Sequence, residues 1–361
     1  CLFISRAHPG HLLELIRQRG FAVTALPAEL LQTPANTQVI SEGSKEPVHA
    51  SWLGCDWQTD AEETIKAAAK CLPDGIDWLV VDHYQLDANW ERLLRPHTRK
   101  LMVIDDLANR LHDCDLLLDQ NYYRDLEMRY QGIVPSECVM LLGPDYVLLR
   151  PEFNVARQRL KVRDGNIRRI LIFFGGSDLT NQTKKAMMAL QLLGRPDIKV
   201  DVVVGSANPE RNAIQKMCEQ LPNTVFHCQV SNMAELISNA DLGIGAGGSA
   251  MWERCFLGLP TITVVFAANQ ERTTEDVAEI GAIEYLGRID QLAPENYARA
   301  VSKMLGNAQK VRLIGVAALG VLRPGDTSLA KVMGRLSKEA KITETSSFRE
   351  ALLDIRRESR Q

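Results

Sequence analysis

The stretch DLGIGAGGSAMWERCFLGLPTITVV, residues 241–265, has the clearest structural pattern in this chain. A short apolar segment, residues 242–245, leads into a glycine-rich turn. A helix is predicted to begin at Ser249 and to stop at Gly258, and a second apolar segment follows at once. Strand, tight turn, helix and strand in this order are typical of a parallel α/β sheet. The pattern therefore predicts a buried strand whose end meets a helix N-terminus.

The same turn has the features of an anion site. Gly247 and Gly248 let a ligand approach the backbone, and the N–H groups at a helix start near Ser249 attract phosphates. Glu253 lies one turn inside the helix, where its carboxylate would be free to accept hydrogen bonds from sugar hydroxyls. The alternative is a turn that needs glycine only for packing, with Glu253 solvated. We favour the binding interpretation, which predicts a nucleotide-sugar site.

Bulk composition limits the classes of protein that fit. With 361 residues, the chain is long enough for two domains, and its 45% hydrophobic and 24% charged residues are typical of a globular protein. A net charge of −3 gives no support for nucleic-acid binding. No apolar run reaches the roughly 20 residues that span a bilayer, so we expect no membrane contact. The cysteines are scattered without a C-x-x-C pair, which favours a cytoplasmic location and argues against zinc.

Alternating strands and helices predict an α/β class with two doubly wound, Rossmann-like domains that face a cleft. The stretch GPDYVLLRP, residues 143–151, suggests the boundary, because it is extended and contains two prolines. We therefore expect an N-terminal domain over 1–150, a nucleotide-binding domain over 151–335 and a charged tail over 336–361. The predicted strands are residues 2–5, 21–26, 76–82, 100–105, 115–119, 139–142, 169–174, 199–204, 224–227, 242–245 and 261–265. The predicted helices are residues 10–19, 58–71, 87–94, 152–160, 181–193, 209–221, 233–238, 249–257 and 270–280.

A second strand-to-glycine turn, FFGGSD over residues 173–178, opens the first helix of the second half. Backbone amides at Gly176 and Ser177 could contact a diphosphate or a sugar. The equal alternative is a capped helix start, with Asp178, Thr180 or Asn181 as the cap.

Two further residues lie where they could reach a ligand at the same edge of the sheet. Asn269 follows the strand over residues 261–265, and it is either a helix cap, which the sequence alone favours, or a ligand contact. Arg150 lies at the linker and could bind a phosphate or pair with an acidic neighbour.

In the first half, a titratable cluster ends the strand over residues 76–82. Asp82, His83 and Tyr84 could orient a sugar or tune a proton transfer. The alternative makes Asp87 a helix cap and leaves His83 half-buried. Asp105 and Asp106 end the neighbouring strand, where structural capping is the stronger interpretation.

A metal site is not expected from the histidines. His8 and His11 are close in sequence, but two histidines at this spacing without further ligands are more often surface or capping residues. We predict neither a metal nor another cofactor.

An ordered series of motifs resembles one known family, the UDP-sugar hydrolases of pseudaminic acid biosynthesis. The motifs that carry the resemblance are VDHYQLD (81–87), VIDDLA (103–108), LDQN (118–121), GPDYVLLR (143–150), FGGSD (174–178) and GGSAMWER (247–254). The match runs from residue 1 to about 335.

The resemblance implies a GT-B fold, close to the enzyme that adds N-acetylglucosamine to lipid-linked muramyl peptide. It also implies metal-independent hydrolysis of a UDP-linked 2,4-diacetamido-2,4,6-trideoxyhexose to free sugar and UDP, for surface or flagellin glycosylation. In that family UDP lies on the second half. Ser249 and the glycines would then lie near the diphosphate, Glu253 at the ribose and Asn269 near the sugar.

One departure from the family concerns its general base. The family begins with a strand, a Gly-x-Gly-His loop and a helix, and this chain has no Gly-x-Gly-His. We therefore expect a chain truncated at its N-terminus, without the base in the residues given. A glycosyltransferase of the same fold and an inactive UDP-binding remnant are the alternatives.

Overall fold

The computed structural model describes residues 1–8, 11–28, 53–322, 332 and 334. These residues form two compact units, which are described separately below. The predicted tail, residues 336–361, lies outside the described residues. In the part that is described, no helix is both long enough and apolar enough to cross a membrane.

The division into units follows contacts rather than chain order. The first unit contains Cys1–Asp119 and Glu127–Leu142, and the second contains Gln120–Leu126 and Gly143–Lys331, as far as these are described. The second unit thus begins at the first residue of the proline-containing stretch, residues 143–151. It also includes a short segment from the middle of the chain, which nothing in the sequence pattern indicates.

In its described part, the first unit contains parallel strands flanked by three α-helices. β1 pairs with β2, and β3 to β6 form a four-stranded sheet in chain order. The strands are β1 (Leu2–Arg6), β2 (Ala22–Leu26), β3 (Ile76–Val81), β4 (Thr98–Ile104), β5 (Leu116–Asp119) and β6 (Val139–Leu142). The helices are α1 (Leu13–Gln18), α2 (Trp57–Cys71) and α3 (Ala88–Leu94).

The second unit has a six-stranded parallel sheet with helices on both faces. Its strands are β7 (Arg169–Phe173), β8 (Lys199–Val204), β9 (Thr224–Cys228), β10 (Leu242–Ala246), β11 (Thr261–Val265) and β12 (Glu284–Arg288). Its helices are α4 (Pro151–Gln158), α5 (Gln182–Leu193), α6 (Arg211–Gln220), α7 (Met233–Asn239), α8 (Ser249–Phe256), α9 (Ala268–Glu279), α10 (Pro294–Leu305) and α11 (Ala308–Val321). The helix predicted to begin at Ser249 is confirmed.

The strand order of the second unit is β12-β11-β10-β7-β8-β9. The chain winds outward from β7 in one direction and then returns to β10 and winds outward in the other. This is the doubly wound arrangement, and its parallel pairing confirms the α/β class predicted from continuous apolar strands.

Alternating side chains of the central strands build two apolar layers. Ile170 and Ile172 of β7 pack into one cluster, which includes residues of α5, α6 and α10. Leu171 points to the opposite face and joins a second cluster, to which α4, α7, α8 and α9 contribute. Both faces of the sheet are therefore buried, as a period-2 strand between two helix layers requires.

The structure contains three elements that the sequence reading did not predict: β12, α10 and α11. β12 has the sequence EYLGR and is half-buried along its length, so it has no apolar run to mark it. It forms by pairing with β11 at the edge of the sheet. In contrast, α10 carried a readable signal, because its buried residues recur at helical spacing: Tyr297, Ala300, Val301 and Met304.

The segment Gln120–Leu126 is held on the second unit by three polar contacts to α8 and α9, of which the one to Trp252 is buried. Asn121 Oδ1 accepts a hydrogen bond of 3.0 Å from Trp252 Nε1 of α8. Thr273 Oγ1 donates to the carbonyl of Tyr122 at 2.9 Å. Arg124 Nε lies 3.0 Å from Asp276 Oδ1. These three contacts explain why the segment belongs to the second unit.

We expect Asn121→Ala to lower the free energy of unfolding of the second unit by about 1–3 kcal/mol, because it leaves the buried Trp252 N–H without an acceptor. Denaturation followed by tryptophan fluorescence measures the change. Asn166→Ala is the control, since Asn166 is exposed and bonds only within its own turn to Asp164. Equal stability of the Asn121 variant and the wild type would contradict the importance of this contact.

Candidate functional site

A cleft opens in the second unit where β7 and β10 end. Ligands of doubly wound sheets bind at this switch point, outside the carboxyl ends of the strands. The cleft has an empty volume of about 940 Å³ and is open to solvent. The predicted site residues Arg150, Gly176, Ser249 and Glu253 all line it. The structure therefore brings together residues from three separate stretches of the chain: Arg150, Gly176, and Ser249 with Glu253.

The start of α8 faces this cleft with its backbone. Gly248 is the N-cap residue and no side chain caps the helix, so the first N–H groups of α8 are left for a ligand. Gly248 has a φ of 140°, which a residue with a side chain rarely adopts. At Gly247, an added Cβ would lie 2.5 Å from Thr274 Oγ1, so a side chain there would collide with α9. Both glycines are required by the shape of the turn.

Glu253 lies one helical turn beyond Ser249, and its side chain is 19% exposed in the cleft. Arg150 Nη2 is 3.6 Å from Glu253 Oε1, and Arg150 Nη1 is 2.6 Å from Glu152 Oε1. The Arg150 guanidinium also lies over the ring of Phe153, 5.3 Å from its centroid. Arg150 is thus paired with acidic neighbours, one of the two alternatives for it, and its charge lies beside the Glu253 carboxylate.

The loop after β7 combines a cleft-lining turn with a capped helix start. Gly175 has a φ of 103°, and the carbonyl of Gly176 accepts a hydrogen bond from Gly205 N. Asp178 is buried, and its carboxylate accepts from the N–H groups of Gln182 and Thr183. Burial raises the pKa of Asp178, although these hydrogen bonds oppose the shift. The N-cap of α5 is Asn181, whose Oδ1 accepts from Lys184 N, and Asp178 accepts from the first two N–H groups of the helix. The capped helix start is therefore confirmed, while Gly176 lines the cleft.

Two other predicted contacts in this loop and in α9 are placed differently. Ser177 is not among the residues that line the cleft. Asn269 is the second residue of α9, whose N-cap is Ala267, so the idea that Asn269 caps this helix is wrong. Because α9 begins at Ala268, two residues before the predicted start at residue 270, Asn269 lies inside its first turn. Its contact with a sugar stays a prediction.

The neighbouring Gln270 reaches the glycine turn at Gly248, as Thr274 of the same helix does at Gly247. Its Oε1 accepts a hydrogen bond of 3.1 Å from Phe266 N, and its Nε2 lies 3.4 Å from where a Gly248 Cβ would be. Gln270 therefore lies beside the turn, on the side of α9. The sequence contained no signal that distinguishes it from Asn269.

The cleft also has lining residues that the sequence reading missed. Gln120 belongs to the segment attached to the second unit, and its Oε1 accepts from Leu148 N at 3.2 Å. Gln229 and Val230 follow β9 and close the far end of the cleft. Gln229 has a φ of 51°, and its Oε1 accepts from Ser206 N. The end of a strand is the one local signal that would have pointed to them.

In the first unit, Asp82, His83 and Tyr84 follow β3 directly and are half-buried. His83 Nδ1 accepts a hydrogen bond of 3.2 Å from Gln85 N, which leaves the ring proton on Nε2. Burial lowers the pKa of His83, and the negative charges of Asp60 and Asp82 oppose this shift. At neutral pH the ring is therefore an uncharged imidazole. A catalytic role for Asp82, His83 and Tyr84 stays a prediction.

The neighbouring strand end is a structural network. Asp105 is fully buried, and its carboxylate accepts from Ala108 N and Arg110 Nη1, each at 2.8 Å, and from the hydroxyl of Tyr130. The capping interpretation therefore holds for Asp105. Asp87 likewise has a structural role, because it caps α3 by accepting from Asn89 N. Among the described residues, no three His, Cys, Asp or Glu side chains are arranged to hold a metal ion.

The second unit contains a match to a known protein family. Residues 170–313 fit the glycosyltransferase family 28 C-terminal domain. The Bacillus subtilis (strain 168) spore coat polysaccharide biosynthesis protein SpsG is 33% identical over 172 residues, which are 47% of this chain and 50% of that protein. The match therefore spans about half the length of this relative.

Another relative is named for an enzymatic reaction. The UDP-2,4-diacetamido-2,4,6-trideoxy-beta-L-altropyranose hydrolase of Campylobacter jejuni is 29% identical over 213 residues, which are 57% of this chain and 73% of that protein. Among experimental structures, Acinetobacter baumannii MurG has a TM-score of 0.56 at 14% identity, with 94% of this chain and 99% of that chain covered. Arabidopsis thaliana UGT89C1 complexed with UDP has a TM-score of 0.60 at 12% identity, with 94% and 92% covered.

At such low identity the structural likeness concerns the fold alone, and that fold is GT-B, as expected. The sequence match adds that residues 170–313 are similar to the C-terminal domain of glycosyltransferase family 28.

The environment of His83 predicts a titration midpoint below the ordinary histidine pKa of 6.5, because burial disfavours the charged ring. An NMR pH titration of the imidazole resonances measures it, with His83→Gln to assign the signal. The urea-denatured chain is the reference and should titrate near 6.5. A native midpoint at or above that of the denatured chain would contradict the neutral imidazole.

Proposed function

We propose that the second unit binds the UDP part of a nucleotide sugar and that the protein hydrolyses this compound to free sugar and UDP. The observation that carries the proposal is the uncapped start of α8, which follows Gly247 and Gly248 at the switch point of the sheet and has Glu253 one turn further on. An anion-binding backbone and a carboxylate in the same cleft suit the two halves of a nucleoside diphosphate.

The diphosphate is assigned to the glycine turns. N–H groups at the start of α8 and in the turn at Gly176 offer donors to phosphate oxygens from β10 and from β7. The short distance between the two turns follows from the direct pairing of their strands. Because these amides are fixed by the backbone, they stabilise the charge that develops on UDP as the bond to the sugar breaks, without reorganising.

The ribose is assigned to Glu253. Two hydroxyls on a ribose match the two oxygens of one carboxylate, and Arg150 holds that carboxylate from the side. A carboxylate that is oriented before binding loses less entropy when the ligand arrives. In this assignment Arg150 acts through Glu253, and the diphosphate is left to the backbone.

For the reaction, we propose that water attacks the anomeric carbon and that UDP leaves. The substrate proposed is a UDP-linked 2,4-diacetamido-2,4,6-trideoxyhexose of the pseudaminic acid pathway, on the strength of the similarity to the Campylobacter jejuni hydrolase. Asn269 is proposed to face the sugar. Asp82, His83 and Tyr84 are proposed as supporting catalytic groups, and no residue of this chain is assigned as the general base.

A glycosyltransferase is the second candidate. It is favoured by the match of residues 170–313 to a glycosyltransferase domain. The two functions share the UDP site and differ in the group that attacks the sugar, which is water in one case and an acceptor hydroxyl in the other.

We expect Glu253→Ala to weaken UDP binding by about 1–3 kcal/mol, because the ribose loses a charged hydrogen-bond partner. Calorimetry with UDP measures the loss, and binding of inorganic diphosphate should change little. Glu152→Ala is the matched control, since it removes another carboxylate that pairs with Arg150 but does not line the cleft. Unchanged UDP affinity in the Glu253 variant would remove Glu253 from the site.

NMR of the reaction with UDP-2,4-diacetamido-2,4,6-trideoxy-β-L-altropyranose should show equal amounts of UDP and reducing sugar. The rate should be unchanged by EDTA if the hydrolysis is metal-independent, as proposed. Acceptor alcohols or lipids are added in parallel reactions. A glycoside in place of free sugar would favour the transferase, and UDP binding without any turnover would favour a binding function.

A further inference from the structure

Arg254 is a buried cation that neither the proposed UDP contacts nor the packing of the core accounts for. It lies on α8, next to Glu253, and is 3% exposed. Its Nη2 donates a hydrogen bond of 2.6 Å to the carbonyl of Ala246, the last residue of β10. Its Nε and Nη1 are buried and have no hydrogen-bond partner. Within the described residues, no carboxylate forms an ion pair with it.

The strand β10 makes room for this side chain. A Cβ at Gly245 would lie 2.9 Å from Arg254 Nη1, and a Cβ at Gly243 would lie 3.3 Å from Arg254 Cδ. Neither glycine has a positive φ, so the backbone conformation does not require glycine at these positions. Glycine inside a strand weakens it, and its presence often marks a close approach. Here the groups that approach are the arginine and the neighbouring strand.

A second arginine of the same unit, the half-buried Arg163, shows how a structural arginine is satisfied. Burial lowers the pKa of Arg163 to about 10, as it does that of Arg254. However, the Arg163 guanidinium donates to four carbonyl oxygens at the ends of α7 and α8: those of Ile237, Ala240, Leu257 and Gly258. These helix ends carry negative partial charge, which compensates the cation.

Arg254 lies in the opposite electrostatic environment. Its guanidinium is bonded beneath Ala246, the residue that leads into Gly247, Gly248 and the N-terminus of α8. A helix N-terminus is already positive, so the arginine adds charge of the same sign at the same place. The Glu253 carboxylate raises the pKa of Arg254 against the effect of burial but forms no ion pair with the guanidinium, and a buried cation without a paired counter-ion is costly to the folded protein. An anion bound on the turn would supply the missing charge.

We propose that Arg254 is a positioning residue that gives the turn at residues 247–249 its affinity for a diphosphate, acting through the field of its buried charge and without touching the ligand. This inference rests on the proposed function, because it takes UDP as the ligand of that turn. At about 10 Å and an effective dielectric constant of about 20, one unit charge changes the affinity for an anion on the order of tenfold.

The test compares UDP with uridine, which lacks the diphosphate. Arg254→Met should weaken UDP binding about tenfold and uridine binding less than twofold. Arg254→Gln keeps a donor for the Ala246 carbonyl but has no charge, so it should show the same selective loss. Arg254→Lys keeps the charge and should retain most of the wild-type ratio of the two affinities.

Arg163→Met is the control, since it removes another arginine of the same unit whose pKa is lowered by burial and whose guanidinium is fully hydrogen-bonded. It should lower the melting temperature and leave the ratio of UDP to uridine affinity at the wild-type value. Equal losses for UDP and uridine in the folded Arg254→Gln or Arg254→Met protein would overturn the proposal and reduce Arg254 to a support for the turn. A wild-type protein that binds neither ligand would instead contradict the proposed function.

Discussion

The pairing of β7 with β10 is the constraint on which the second unit depends. Their register runs from Leu242 opposite Ile170 to Gly245 opposite Phe173. Gly245 is needed for this approach, because a Cβ there would lie 2.4 Å from the Phe173 carbonyl oxygen. At the other end, the Asp241 carboxylate accepts from the N–H groups of Arg168 and Arg169, 2.9 Å each. Once these two strands are joined, the chain winds away on both sides and the cleft opens between their turns.

The parts of this arrangement that a sequence pattern can predict are those fixed by neighbours in the chain. Apolar runs of four or five residues predicted the central strands, and the glycines after residue 245 predicted where α8 begins. Both signals are local, because burial on two faces favours an uninterrupted apolar strand and a φ such as the 140° of Gly248 is rarely adopted by a residue with a side chain. The pattern also predicted which edge of the sheet holds the cleft, since parallel strands end together.

Side-chain partners in the cleft were beyond the reach of the same reasoning. Whether Asn269 or Gln270 reaches the turn depends on the residue at which α9 begins, and a shift of one position rotates a helix by about 100°. The attachment of Gln120–Leu126 to the second unit depends on Trp252, which is 131 positions away from Asn121. Such contacts are set by the folded sheet, and no period in the sequence encodes them.

The glycines within β10 and those directly after it are required for two different physical reasons. Gly247 and Gly248 are required by the turn: Gly248 has a φ that side chains rarely adopt, and a side chain at Gly247 would collide with α9. Gly243 and Gly245 lie in extended strand, where a Cβ would come too close to the Arg254 side chain and to the neighbouring strands. In the proposed site these two pairs of glycines have separate roles. The pair in the turn sets the direction of the N–H donors, and the pair in the strand leaves space for the Arg254 guanidinium.

This separation has a physical advantage for a helix of only eight residues. The field of a helix terminus is screened by water and falls off within the first turn, so a short helix contributes little beyond its own N–H groups. A guanidinium sealed behind the strand is not screened in this way, and it cannot turn toward solvent when the cleft is empty. The backbone turn can therefore remain narrow and uncapped, as a diphosphate requires, while the affinity for negative charge is supplied from behind it.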